Sequence, residues 1–402
     1  MRHRPPRTLL FATLTSLSLV GPASALHLTV RAGAHACRDA LVRAEVDVSG
    51  SARAATLTRD GRAVPAQLVR LPGGRAEVWW VVPELAPGAT ARYDLRLDSA
   101  PAAARGARAA RTREGDLELR FAGELFARYD AHTGPNKPYF FPIVGPTGAR
   151  MVRGYPLDPG PAGTRDHPHH RGLWFTHGAV NGCDYWSEGA NTGRTVNRGY
   201  SAVVSGPVWA GFRATTDWID NHGRKVATDE RTVRAWQTRD ARVLDFEATV
   251  RAASGALVFG DTKEGSFGLR VPDALRLAGG AGHILSSTGA RDGAAWGKRA
   301  EWVDYAGPLD GQEVGIAILD HPGNPRHPTY WHVRDYGLFA ANPFGVHDFA
   351  RGQPAGAGDL EVPVGGSVTF RYRVVFHRGG PDQALLADRW ATYADPPTVT
   401  VD

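Results

Sequence analysis

The 402-residue chain reads as all-β, a large antiparallel β-sandwich preceded by a small immunoglobulin-like one, on three observations. Apolar and polar residues alternate with period 2 along most of its length, and Asp-Gly, Pro-Gly and Asn-His-Gly turn signals separate the runs. Helical periodicity is confined to one stretch near the end, DQALLADRWATY, Asp382 to Tyr393. In the second half several runs exceed the usual ~5–6 residues of a strand, which implies large facing sheets.

Taken in order, residues 1–25 place arginines before an apolar run, Leu9 to Val20, and small residues at Ala23 and Ala25. This is the pattern of a secretory signal peptide cut near Ala25, so an exported, periplasmic or extracellular protein is expected. No run reaches the ~18 apolar residues that cross a bilayer as a helix. Residues 26–99 alternate in short runs broken by turns and suit a small sandwich. Residues 100–114, rich in Ala and Arg, have little to bury and read as a linker, and residues 115–402 form the large sandwich that carries the site. Cys37 and Cys183 fall in different domains and make no disulfide framework. The net charge of +6 includes arginines of the signal and the linker, and no basic stripe with interleaved aromatics suggests nucleic acid.

Chemistry concentrates in DHPHHRGLWFTHGAVNGCDYWSE, Asp166 to Glu188. It holds four of the fifteen histidines, His167, His169, His170 and His177, with Arg171, Trp174, Asp184, Trp186 and Glu188. Imidazole titrates near neutral pH and is also the commonest metal ligand. If Asp166 to Arg171 is extended, His167 and His169 share one face and His170 takes the other, which suits a metal poorly. The chain has no HExxH and no CxxC, so no cofactor is assigned, and a histidine-ligated metal is kept as an alternative. The ordinary reading of any one of these histidines is a buried hydrogen-bonding residue that pins a loop.

Three further motifs mix charge with aromatic rings. DTKEGSFGLR carries Lys263 and Glu264, which in a strand would face opposite ways. WGKRAEWVDY carries Lys298 and Arg299; DHPGNPRHPTYWHVRDYGLFAANPFGVHD carries His321, His327, His332, Asn342 and His347. Only four lysines occur, at 137, 225, 263 and 298, against a background of arginine, so a retained lysine marks a place where a compact, titratable ammonium matters; Lys263 and Lys298 stand in the densest polar motifs. Rings beside charged groups suit a sugar, whose apolar face a ring covers while polar groups take the hydroxyls.

These pieces, with PYFFPIVGP, span about residues 138–349 and resemble the PmoA-type, methane oxygenase-like family of exported bacterial proteins of unknown biochemistry. A chain without a membrane span does not fit a particulate monooxygenase subunit. The long strands also resemble the galactose mutarotase-like supersandwich shared by aldose epimerases, polysaccharide lyases and some glycosidases. The expectation is therefore an exported enzyme acting on a carbohydrate or other small polar substrate by acid/base chemistry, as epimerase, lyase or hydrolase. His170 and His177 are the expected acid or base, Glu264 their carboxylate partner, and Lys263 and Arg171 the charge stabilisers. A glycan-binding protein without chemistry is the alternative from another class. Both histidine-rich segments are expected to meet in one cleft, where imidazoles satisfy one another through water and ligand.

Overall fold

The computed structural model describes residues 26–100, 106–131, 136–161 and 163–402; the expected signal peptide and residues 101–105 of the expected linker lie outside them. The fold is all-β, built from antiparallel sheets with short helices at their edges.

Two eight-stranded sheets face each other in the large sandwich. One runs Tyr330–Val333, Leu338–Asn342, Gly265–Arg270, Leu173–His177, Tyr139–Ile143, Glu124–Asp130, Leu117–Phe121 and Ala107–Arg111. The other holds the long meander, Arg194–Val204, Trp209–Ile219, Lys225–Gln237 and Ala241–Ala252, followed by Ser367–Arg378, Gln312–Asp320, Trp302–Leu309 and His283–Ser286. Alternate residues of both sheets, among them Phe175, Phe212, Phe246, Phe267, Phe339 and Phe370, fill one continuous core between them.

A linker through residue 114 does not form. From Ala107 the chain is already the edge strand of the first sheet, paired with Leu117–Phe121, because Ala107 and Ala109 alternate into the core. The large sandwich likewise does not run to the C-terminus: Thr398–Val401 pairs with Leu26–Arg31 and closes the edge of the small sandwich. The expected helix starts four residues late, at Leu386, after a left-handed Leu385.

The outer face of the second sheet is covered. Trp236, Val243, Ala317 and Val375 pack there against Trp79 of the small sandwich and Leu386 of the helix, with Leu41 and Trp390 at the margin. The small sandwich therefore sits on the second sheet, and the outer face of the first sheet is left to carry the polar residues.

Candidate functional site

Strand alternation decides which side chains reach that outer face. In Leu173–His177, Leu173, Phe175 and His177 point to the core, and Trp174 and Thr176 point out. The register sets Trp174 beside Tyr139 on one side and Gly268 on the other; Gly268 pairs with Ala340, and Ala340 with His332. Five residues of one cross-strand row thus share the face. Arg270 stands two positions from Gly268 on the same strand, and Trp174 and Trp186 lie over the missing side chain of Gly268, where a Cβ would come within 2.7 Å of Trp186 and 2.8 Å of Trp174.

The segment from Asp166 is not extended. His170 donates its backbone N–H to the His167 carbonyl at 3.0 Å, and His167 takes a left-handed φ of 43°, so the chain turns at Pro168 and gathers the three rings. Four rings then stack in a column: Tyr336 on His167 at 4.9 Å and 6°, His167 on His170 at 4.8 Å and 8°, and His170 on Trp174 at 5.3 Å and 21°. His169 stands edge-on to His170 at 4.4 Å. Asp166 anchors the turn, since buried Arg270 reaches both its oxygens at 2.7 and 2.8 Å and buried Arg153 also bonds its Oδ1. Burial opposes ionisation of Asp166, but these hydrogen bonds and charges hold its carboxyl well below the usual range.

Arg270 also donates to His170 Nδ1 at 3.2 Å. An accepting Nδ1 puts the proton on Nε2, so His170 is a neutral hydrogen-bond donor. Burial, then the charges around it, push its protonation far below the usual histidine range. In this arrangement His170 presents a hydrogen-bond donor rather than a free basic nitrogen, unlike the acid or base the sequence suggested. His169, more open, is brought down to about 4 by burial and then by Lys137.

Beside the column, Lys137 is buried and donates to the Trp186 carbonyl at 2.9 Å and to Glu188 at 3.2 Å, while Arg171 holds Glu188 through both Nε and Nη2 at 2.9 Å. Burial brings the Lys137 ammonium down to about 8 against the pull of Glu188. Arg171 and Glu188 thus hold one another and the lysine. Asp184 accepts from the backbone N–H groups of Trp186 and Ser187 at 2.7 and 3.1 Å and shapes the loop that presents Trp186.

Lys263 and Glu264 stand in a turn ahead of the strand, so both reach the outer face. Lys263 Nζ is 3.9 Å from Glu264 and 4.0 Å from Asp348. Glu264 is half-buried, close enough to His167 and Asp184 to feel their charge; burial raises its carboxyl above the ordinary range, partly offset by Lys263. At the far wall, His332 Nδ1 takes the Trp296 indole N–H at 3.2 Å, and burial, then Arg334 and Lys263, bring the ring down to about 3. Burial, then Glu264, raises the Tyr336 phenol to about 12. His347 is held by Asp261 at 3.0 Å, which raises its affinity for a proton.

Several expected site residues lie elsewhere. His177 is fully buried on the core side, its Nε2 bonded to the Gly260 carbonyl at 2.7 Å and its ring packed on Phe344, because it is an odd member of an alternating strand. Asn342 spends its amide on Thr262, Phe344 and Gly345, which fixes the turn bearing Lys263. Arg299 clamps the carbonyls of Arg326, His327 and Pro328, and Lys298 beside it is exposed. His327 pairs with Asp320 at 2.7 Å and stacks on Trp390, and His321 meets Tyr393, so both belong to the second sheet and its helix. Of the second histidine segment, His332 lies in the same cross-strand row as Trp174, and His347 stands 3.8 Å from Asp348, the neighbour of Lys263. Among the described residues no three His, Cys, Asp or Glu side chains converge as a ligand set for a metal, and Cys37 and Cys183 are both buried and free.

Sequence reading missed Lys137, Arg153, Arg270, Arg334 and Tyr336. Lys137 carried a signal, the scarcity of lysine; the arginines carried none, being three among many. A cavity of about 320 Å³ also opens between the small sandwich and the second sheet, but its lining carboxylate, Asp245, is tied to Arg373 through two hydrogen bonds of 2.6 and 2.9 Å. The lowered histidines His169, His170 and His332 and the raised Glu264 stand instead on the side of the first sheet.

No curated protein matches the chain. Among solved structures it is similar to an alpha-mannosidase from Enterococcus faecalis V583, at 11% identity and a TM-score of 0.46 over 95% of this chain and 46% of that one. It is also similar to a protein in the glycosyl hydrolase family 38 from Enterococcus faecalis, at 12% identity and a TM-score of 0.48 over 95% and 48%. The chain spans just under half the length of either. Among the described residues no helix is long and apolar enough to cross a membrane. None of these findings carries the PmoA-type, methane oxygenase-like label. Every side chain of the cleft, from Lys137 to Asp348, falls within residues 116–391, the stretch that matches the sequence model described as "Family of unknown function (DUF6807)", and the chain belongs to that family.

Proposed function

We propose that this protein acts on a carbohydrate held in the cleft on the outer face of the first sheet, with Glu264 as the group that moves a proton. The observation that carries the reading is Glu264 itself: a half-buried carboxyl, raised toward neutrality by burial, beside Lys263 and facing a wall of stacked rings. A general acid or base works best with an affinity near the working pH, and this carboxyl is moved in that direction. Exposed His167 and half-buried Tyr336 offer ring faces to the apolar side of a sugar. His169 and the Glu264 carboxyl take its hydroxyls. Lys263, 3.9 Å from Glu264, stabilises charge that develops there.

The test is Glu264→Gln with a panel of oligosaccharides, products followed by mass spectrometry and binding by calorimetry. Turnover is expected to fall by about 100-fold or more, with affinity changed less than about threefold. Unchanged turnover would remove Glu264 from the chemistry. A second reading, a glycan-binding protein without catalysis, draws on His170: of the two histidines expected to transfer protons, one is locked as a neutral donor and the other is in the core. Saccharide binding with no product from any member of the panel decides for it.

A further inference from the structure

The far wall of the cleft, around His332, is unlike the wall of stacked rings. Arg334 reaches over Trp296 at 6.0 Å and Tyr336 at 5.6 Å, half-buried, and its guanidinium makes no ion pair among the described residues. Lys263 is 42% exposed and shares its charge with Glu264 and Asp348 only at 3.9 and 4.0 Å. Both cations act on His332, which lies between them in effect. Because His332 Nδ1 accepts the Trp296 N–H, its proton is on Nε2, so it donates. Arg334, two positions on from His332, and His332 itself both touch Trp296, with Lys263 close enough to act on His332, so these donors share one wall and the uncompensated charge is at Arg334. A site of donors asks for a ligand rich in acceptors.

Resting on the carbohydrate reading above, we propose that the substrate is an acidic sugar, and that Arg334, Lys263 and His332 Nε2–H receive its carboxylate. A neutral sugar would leave a half-buried guanidinium without a counter-ion, whereas a uronate carboxylate matches its planar fork and forms charge-assisted bonds. Glu264 and Asp348 stay 3.9 and 4.0 Å from Lys263 Nζ, beyond hydrogen-bond distance, so the ammonium keeps donors for the ligand's carboxylate. The hydroxyl-bearing part of the ring then falls toward Glu264 and the ring column.

The experiment titrates the full chain with oligomers of galacturonate and glucuronate, with their neutral counterparts, and with a sulfated sugar, in wild type, Arg334→Gln and Arg334→Lys. Wild type is expected to bind a uronate about tenfold or more tighter than its neutral counterpart, with the preference weakening as salt is raised. Arg334→Gln should remove the preference and change neutral-sugar affinity by less than about threefold, and Arg334→Lys should restore part of it. Retained neutral-sugar affinity shows that the variant is folded. Equal wild-type affinity for uronate and neutral sugar, equal weakening of both by Arg334→Gln, or preference for the sulfated sugar overturns the carboxylate assignment and leaves the carbohydrate reading standing. Binding of none of these saccharides overturns both.

Discussion

At the scale of single residues, the same side chain takes opposite roles according to the face on which it lands. His177 and Trp174 are three apart in one strand, yet His177 is sealed among Phe259 and Phe344 while Trp174 backs the ring column. His177→Ala should destabilise the fold by about 2–4 kcal/mol, the sum of a cavity and the lost bond to Gly260. Denaturant midpoints measure that loss, and ligand affinity of the folded fraction is expected to stay unchanged; a variant that is stable but cannot bind would return His177 to the site. That His170 joins a cluster of rings was legible in the sequence but its tautomer was not, because Arg270, 100 positions away in sequence, fixes it.

At the scale of elements, the outer face is built by a row of small residues under large rings. Gly268 and Ala340 leave the space that Trp174 and Trp186 fill from the neighbouring strand and loop. Gly268→Ala pushes a methyl group into both rings, and overpacking of that kind costs about 1–3 kcal/mol. The variant is expected to unfold at lower denaturant and to bind ligand more weakly, with altered tryptophan fluorescence marking the displaced rings. Unchanged fluorescence and affinity would mean that the rings do not rest on this strand. The C-terminal strand belongs at this scale too. Its pairing with Leu26–Arg31 joins the two ends of the described chain, so deletion of residues 398–402 should lower the stability of the small sandwich, read as faster hydrogen exchange in Leu26–Arg31 and Thr90–Asp98.

At the scale of the whole molecule, buried neutral histidines tie stability to pH. Burial is the first cause in each case, bringing His169 and His177 to about 4 and His332 to about 3 from the ordinary 6.5. The unfolded chain takes up these protons near pH 6.5 and the folded chain does not until about 4, so their contribution is complete above 6.5 and is lost as pH falls toward 4. Fully buried His177 alone accounts for about 3 kcal/mol over that window, from ~1.4 kcal/mol per unit. Denaturant midpoints from pH 7 to 4.5 should fall steeply, and His177→Asn should flatten the slope by about one proton. A midpoint indifferent to pH across that window would contradict the burial of these rings.

By itself the sequence determined what local physics can encode. Period-2 alternation and turn residues specify strands and hairpins, hence the all-β class, and a dense run of imidazoles, rings and charges marks where polar groups gather, hence Asp166 to Glu188 and the Lys263–Glu264 turn. Only the tertiary structure decided which of two sheets is covered, which of two strand faces looks outward, and which distant arginine holds which histidine. Those depend on pairings such as Trp174 with Gly268 and Gly268 with Ala340, across 94 and 72 residues of chain. Alternation gives a strand two faces without saying which is inside; the choice is made by what packs against it, and for His177 that was Phe344 and the Gly260 carbonyl rather than a substrate.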